Sequence, residues 1–168
     1  MFVRSTKRVK LLGALVFLAV MMTGTANADI RRYKDLTLAR NAEPTSHVLR
    51  GYNRGAISLH HIVGSRDGDR NMCMGYGSYD ADHIIKLEQR LPNLTLQVRS
   101  KYPDTTLAVI GPHQKLYCAD DSPSGRAAQL ELHDLKRGTY KVWVGGIDQG
   151  AAFKYTLKVS QPDAVSQK

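Results

Sequence analysis

Three carboxylates flank a pair of short apolar runs: Asp104 in Tyr102-Pro-Asp-Thr-Thr-Leu107, and Asp120-Asp121 in Tyr117-Cys-Ala-Asp-Asp-Ser122. Carboxylates gathered with carbonyl oxygens are the ligands a calcium ion takes, and two carboxylates facing a substrate are what glycoside hydrolysis needs. Leu107 and Val109 share one side of the first run, Leu116 and Cys118 one side of the second, and Gly111-Pro112-His113-Gln114 lies between. That pattern predicts a β-hairpin, which brings Pro103-Asp104 and Asp120-Asp121 to the same end of the domain. Asp104, Asp120 and Asp121 are therefore candidate calcium ligands. The alternative is that they cap turns, as aspartates at strand ends do through local hydrogen bonds. The full EF-hand loop pattern is absent.

Other chemistries find less material. His60 and His61 are adjacent, so on a strand they point to opposite faces. His47, His83, His113 and His133 are scattered, with no pair at the spacing zinc ligation uses. There is no Gly-x-Ser-x-Gly elbow, no His-Glu-x-x-His and no glycine-rich phosphate loop. The chain is expected not to be an enzyme, and to need no cofactor other than the candidate calcium.

The N-terminus decides how the two cysteines are read. Met1 to Lys10 is basic, Leu11 to Met22 is an apolar run of 12 residues, and Thr25-Ala-Asn-Ala28 ends in small residues. This is the layout of a secretory signal peptide cleaved after Ala28, and the run is short of the roughly 20 residues a spanning helix needs. The expected location is periplasmic or secreted, with no membrane span after cleavage. In an oxidising compartment Cys73 and Cys118 read as one disulfide; the rival, a catalytic cysteine with a histidine partner, leaves the second thiol without a role. The bridge closes a loop of 46 residues, worth about 4 kcal/mol in the chain-entropy model.

Cleavage leaves 140 of the 168 residues, enough for one core, and lowers the net charge from +9 to +5 by removing Arg4, Lys7, Arg8 and Lys10. The remaining basic residues are interspersed with acids along the chain, which predicts a mixed solvated surface and no nucleic-acid partner.

The elements that must position these residues have a period of two. Leu94, Leu96 and Val98 alternate with polar residues, as do Leu130 and Leu132, then Tyr140, Val142 and Val144, then Phe153, Tyr155, Leu157 and Val159. With Ala56 to Val63, Met72 to Tyr79, His83 to Glu88 and the hairpin, they predict eight or nine short strands and an all-β, antiparallel, jelly-roll-like β-sandwich. No segment after the leader carries an amphipathic helix of three turns. The expected organisation is a leader at 1–28, an arm or short strand at 29–46, the sandwich at 47–161 and a flexible tail at 162–168. Trp143 lies on the opposite face from Val142 and Val144, where it is either covered by the arm or used in binding.

In order along the chain, Asp104-Thr-Thr-Leu107, Cys118-Ala-Asp-Asp-Ser122 and Gly138-Thr-Tyr-Lys-Val-Trp-Val-Gly145, with Cys73-Met-Gly75-Tyr76 before them, resemble the bacterial pre-peptidase C-terminal (PPC) domain family and its free-standing exported relatives. The resemblance covers roughly residues 56 to 160. It implies a non-catalytic sandwich that binds a macromolecule, either a protein or a cell-envelope glycan. The chain is more loosely similar to the periplasmic inhibitors of invertebrate-type and goose-type lysozymes, which insert a Ser-Gly loop into the enzyme. That similarity implies a binding loop at Ser122-Pro-Ser124-Gly125-Arg126. Oligomeric state is not legible.

Overall fold

The structure is a computed structural model that describes residues 35–39 and 45–161. The leader, the tail and most of the 29–46 segment lie outside the described residues.

Among the described residues there are eleven strands in two sheets. The first sheet runs β1 (Leu36–Leu38), β5 (His83–Leu87), β10 (Gly138–Gly146), β4 (Tyr76–Gly77) and β3 (Ile57–Ser58). Also paired with β10 is β7 (Thr105–Ile110), and with β7 is β8 (Leu116–Ala119). The second sheet runs β2 (Ser46–Arg54), β11 (Ala152–Ser160), β6 (Leu91–Ser100) and β9 (Gln129–Leu135). All pairs are antiparallel except β1 with β5. Leu36–Leu38, within the segment read as an arm, thus completes one edge of the first sheet.

The period-two pattern is what builds the core. Leu94, Leu96 and Val98 on β6 and Phe153, Tyr155, Leu157 and Val159 on β11 meet Ile85, Leu87, Leu107, Val109, Tyr140, Val142 and Val144 of the facing sheet in one buried cluster. Each such side chain contributes about 1.5–3 kcal/mol on burial. One polar pair crosses this interior: the Tyr155 hydroxyl lies 3.0 Å from Nε2 of His83, and both residues are buried.

Two sequence expectations need correction. Ala56 to Val63 is not one strand: it divides into β3 and a short helix, α1 (Leu59–Val63), which puts His60 and His61 on a helix with ring centroids 3.8 Å apart. Conversely, β2 carries no apolar alternation, because its inward positions are His47, Leu49, Gly51 and Asn53. The space left by Gly51 is filled from outside its own strand, since a Cβ there would lie 2.2 Å from the Tyr155 ring. With β1 and β2 the count rises from eight or nine to eleven.

The outer faces differ. On the first sheet Trp143, Ala108 and Cys118 point outward yet are buried, in a second cluster with Leu59 and Cys73. Among the described residues, what covers Trp143 is the excursion from α1 to Ala81; most of the N-terminal arm lies outside them. That excursion is fastened by the Cys73–Cys118 disulfide, with S–S 2.00 Å and Cα–Cα 5.1 Å, and by Asp67. The Asp67 carboxylate accepts from the amides of Asp69 and Asn71 and from Cys118 N at 3.1 Å on β8. Among the described residues, no segment covers the outer face of the second sheet in this way.

Candidate functional site

The excursion covers only part of the first sheet's outer face. The remainder is a groove of about 650 Å³, floored by Thr139, Lys141 and Trp143 of β10 with Ile84 and Ile110 on either side. One wall is His61, Ile62, Tyr79, Asp80 and Ala81, and the other is the hairpin connection from Gly111 to Gln114.

Both walls are held from within the fold. Trp143 is 5% exposed and donates its indole N–H to the Tyr79 carbonyl at 3.3 Å, which pins the loop whose side chain, Tyr79, is 72% exposed. Close by, Asp82 is buried and its carboxylate accepts from Val144 N at 2.8 Å. It spans the place where β10 passes from β5 to β4 and would otherwise lack a partner. Burial pushes its pKa up to about 7, against the lowering effect of the Val144 amide.

The opposite wall holds two consecutive residues in the left-handed region, His113 at φ 58° and Gln114 at φ 59°. For non-glycine residues this costs on the order of 1–3 kcal/mol each, and such strain concentrates at functional positions. The turn is held by Gly111 N donating to the Lys115 carbonyl at 2.8 Å. Pro112 packs against Gly138, where a Cβ would lie 2.5 Å from the Pro112 ring and where φ is +148°.

The groove thus offers an exposed phenol, an indole edge, two imidazoles, a carboxylate and an ammonium group. Among the described residues, no hydrogen bond joins these side chains as a nucleophile with its base.

The residues singled out in the sequence lie elsewhere. The hairpin forms as expected, with Leu107 opposite Ala119 and Ala108 opposite Cys118. The apolar pairs of the two strands face opposite ways: Leu107 and Val109 enter the main core, while Leu116 and Cys118 join the second cluster. The three acids flank the hairpin's open end but are not gathered. Among the described residues no three His, Cys, Asp or Glu side chains are grouped so as to hold a metal ion. Asp104 instead sits 3.6 Å from the Arg126 guanidinium, and its carbonyl accepts from Ile147 N. The Asp121 carbonyl accepts from Gln129 N.

Ser122 and Gly125 exchange backbone hydrogen bonds of 2.8 and 3.1 Å, closing a tight turn. The Ser122 hydroxyl is used within it, donating to the Gly125 carbonyl at 3.0 Å and lying 3.3 Å from Ser124 Oγ. Ser124, Gly125 and Arg126 are exposed.

The groove was missed because its parts come from four separate stretches, of which Gly138 to Gly145 was read as a motif of the fold and not of a site. Its one sequence signal is Trp143 on the outward side of a strand.

No family model matches the chain, and no curated protein matches it. Among solved structures it is similar to the pre-peptidase C-terminal domain of a collagenase from Bacillus anthracis, at 14% identity over 77% of this chain and 97% of that one, with a TM-score of 0.41. It is also similar to Aeromonas hydrophila PliG, a periplasmic inhibitor of g-type lysozyme, at 13% identity over 77% of this chain and 96% of that one, with a TM-score of 0.43. Both kinds of protein named from the sequence are thus found among its structural neighbours.

Proposed function

We propose that the protein is an exported, non-catalytic binding module of the periplasm or cell envelope, and that its groove receives a segment of a protein or glycan partner. The observation that carries this reading is Tyr79: a large aromatic side chain left 72% exposed on a wall whose backbone is fixed through Trp143. Rigid aromatic groups on a fixed wall bind with little ordering cost. The leader and the Cys73–Cys118 bond support export.

The test compares affinity capture from envelope extracts by the mature protein and by its Tyr79→Ala and Lys141→Ala variants, with unfolding curves as a check on folding. A partner retained by the wild type and reduced at least about tenfold by Tyr79→Ala is expected, a loss of about 1.4 kcal/mol. Equal recovery by all three proteins overturns the groove as the binding site.

A second reading, lysozyme inhibition through Ser122 to Arg126, is favoured by one observation. The turn is closed by its own hydrogen bonds and so presents Ser124 and Arg126 on a rigid tip. Assays against invertebrate-, goose- and chicken-type lysozymes decide it, and inhibition of none of them ends it.

A further inference from the structure

The basic residues that alternate with acids along the chain do not stay mixed in space. Strands β2, β11 and β6 lie side by side in the second sheet and contain no Asp or Glu. Their outward positions carry Arg50, Arg54, Arg99, Lys154 and Lys158. In register, Thr156 lies between Arg50 and Arg99, Lys154 is opposite Tyr52, and Lys158 is opposite Val48. Strands spaced about 4.8 Å apart place Arg50 and Arg99 about 10 Å from each other, with steps of about 7 Å along each strand. Among the described residues none of the five forms an ion pair with a carboxylate.

We infer that the outer face of β2, β11 and β6, up to the neighbouring β9 with its outward Glu131, is a docking surface for an anionic phospholipid membrane. Three features distinguish that partner from other polyanions. The cations are spread in two dimensions over three strands, so a plane of phosphates can meet all of them, whereas a single extended polymer chain can follow only one row. Between them is a shallow dish of about 410 Å³, floored by Gly51 and Thr156 and rimmed by Arg50, Arg99 and Lys154, open enough for a phosphate headgroup. Arginine presents paired donors that suit phosphate oxygens.

The third feature is the side chains set among the charges. The Tyr52 ring has the Arg54 guanidinium 5.5 Å from its centroid, and Val48 is 49% exposed. Tyrosine is enriched at the headgroup level of membranes. A protein partner would call for a buried aromatic anchor at the centre of the patch, and the centre here is Thr156. The surface lies on the opposite sheet from the groove and does not depend on what the groove binds.

The experiment is vesicle co-sedimentation of the mature protein. One vesicle is pure phosphatidylcholine and the other contains about 30 mol% phosphatidylglycerol, each in about 0.05 M salt and again in 1 M salt, where the screening length falls to about 3 Å. Binding is expected only to the anionic vesicles and only at low salt. The Arg50→Glu/Arg99→Glu variant should bind at least about 25-fold more weakly, from about fivefold per cation near an anionic surface. The control Lys86→Glu/Lys136→Glu makes the same change in net charge at exposed positions off this sheet and should bind within about threefold of wild type. All four substituted positions are exposed, and unchanged unfolding midpoints confirm that both variants fold. Equal weakening by the two variants, binding to neutral vesicles, or tighter retention by a soluble polyanion such as heparin or DNA would each overturn the inference.

Discussion

The two outer faces of this sandwich follow the same alternation and end differently. On the first sheet the outward positions Ala108, Cys118 and Trp143 are apolar, and water is kept from them by the disulfide-fastened excursion. On β2, β11 and β6 of the second sheet the outward positions include Arg50, Thr156, Arg99, Lys154 and Lys158, which need no cover, while Glu131 stands on the same face on the neighbouring β9. The contrast teaches that a sandwich face is given over to function in two ways: by a lid that leaves a shaped groove, or by bare charge. Lids need fastening, and the largest predicted effects therefore fall on the first sheet.

The greatest is removal of the bridge. The Cys73→Ser/Cys118→Ser variant should lose about 4 kcal/mol of stability, seen as a fall in Tm of roughly 10 °C or more. Hydrogen exchange should rise between residues 57 and 81 while β2, β11 and β6 stay protected to the level of the global stability. Uniform acceleration over both sheets would show that the lid is not a separately fastened part.

The next effect comes from Asp82, also confined to the first sheet. Its folded pKa of about 7 lies above its ordinary value of 3.8, so between those values the native state holds a proton that the unfolded state has released. Stability therefore falls as pH rises through this window. From pH 5 to pH 8 the loss is about 3 kcal/mol, at about 1.4 kcal/mol per pH unit up to the folded pKa. Asp82→Asn keeps an acceptor for Val144 N and removes the proton. Denaturant unfolding of the two proteins at pH 5 and 8 should show the decline in the wild type and not in the variant. An identical slope in both would show that Asp82 is not its source.

The sandwich was legible because burial on one face of a strand leaves an alternating trace, as in Leu94 to Val98 and Phe153 to Val159. It failed at β2, where the inward partner of Tyr155 is Gly51 and the apolar mass comes from another strand. It failed again at α1, whose apolar residues Leu59, Ile62 and Val63 are too few to distinguish a helical turn from a strand. The disulfide followed from compartment and parity alone. The acids drew notice because their residue type suggests chemistry, but Asp104 was already paired to Arg126, a pairing that no spacing announces. The basic face was hidden for a related reason. Its cations come from three stretches far apart in the sequence, and only sheet order places β2, β11 and β6 together, with Glu131 left on the neighbouring β9.

The smallest effect has the opposite sign and sharpens the comparison most. Five like charges on neighbouring outward positions repel one another, and like charges across strands are destabilising by a few tenths of a kcal/mol. Arg50→Gln and Arg99→Gln should each therefore raise stability by about 0.3 kcal/mol. The gain should grow when ionic strength falls to 0.01 M, where the screening length is about 30 Å, and vanish near 1 M. Paired denaturation curves at the two salt concentrations measure it. A face that becomes more stable when its cations are neutralised is not held in place by them, whereas the covered face loses stability when its fastening is cut. A loss above about 1 kcal/mol from either substitution, outside the usual range for an exposed position, would mean that the second sheet is also covered, and the distinction between the two faces would fail.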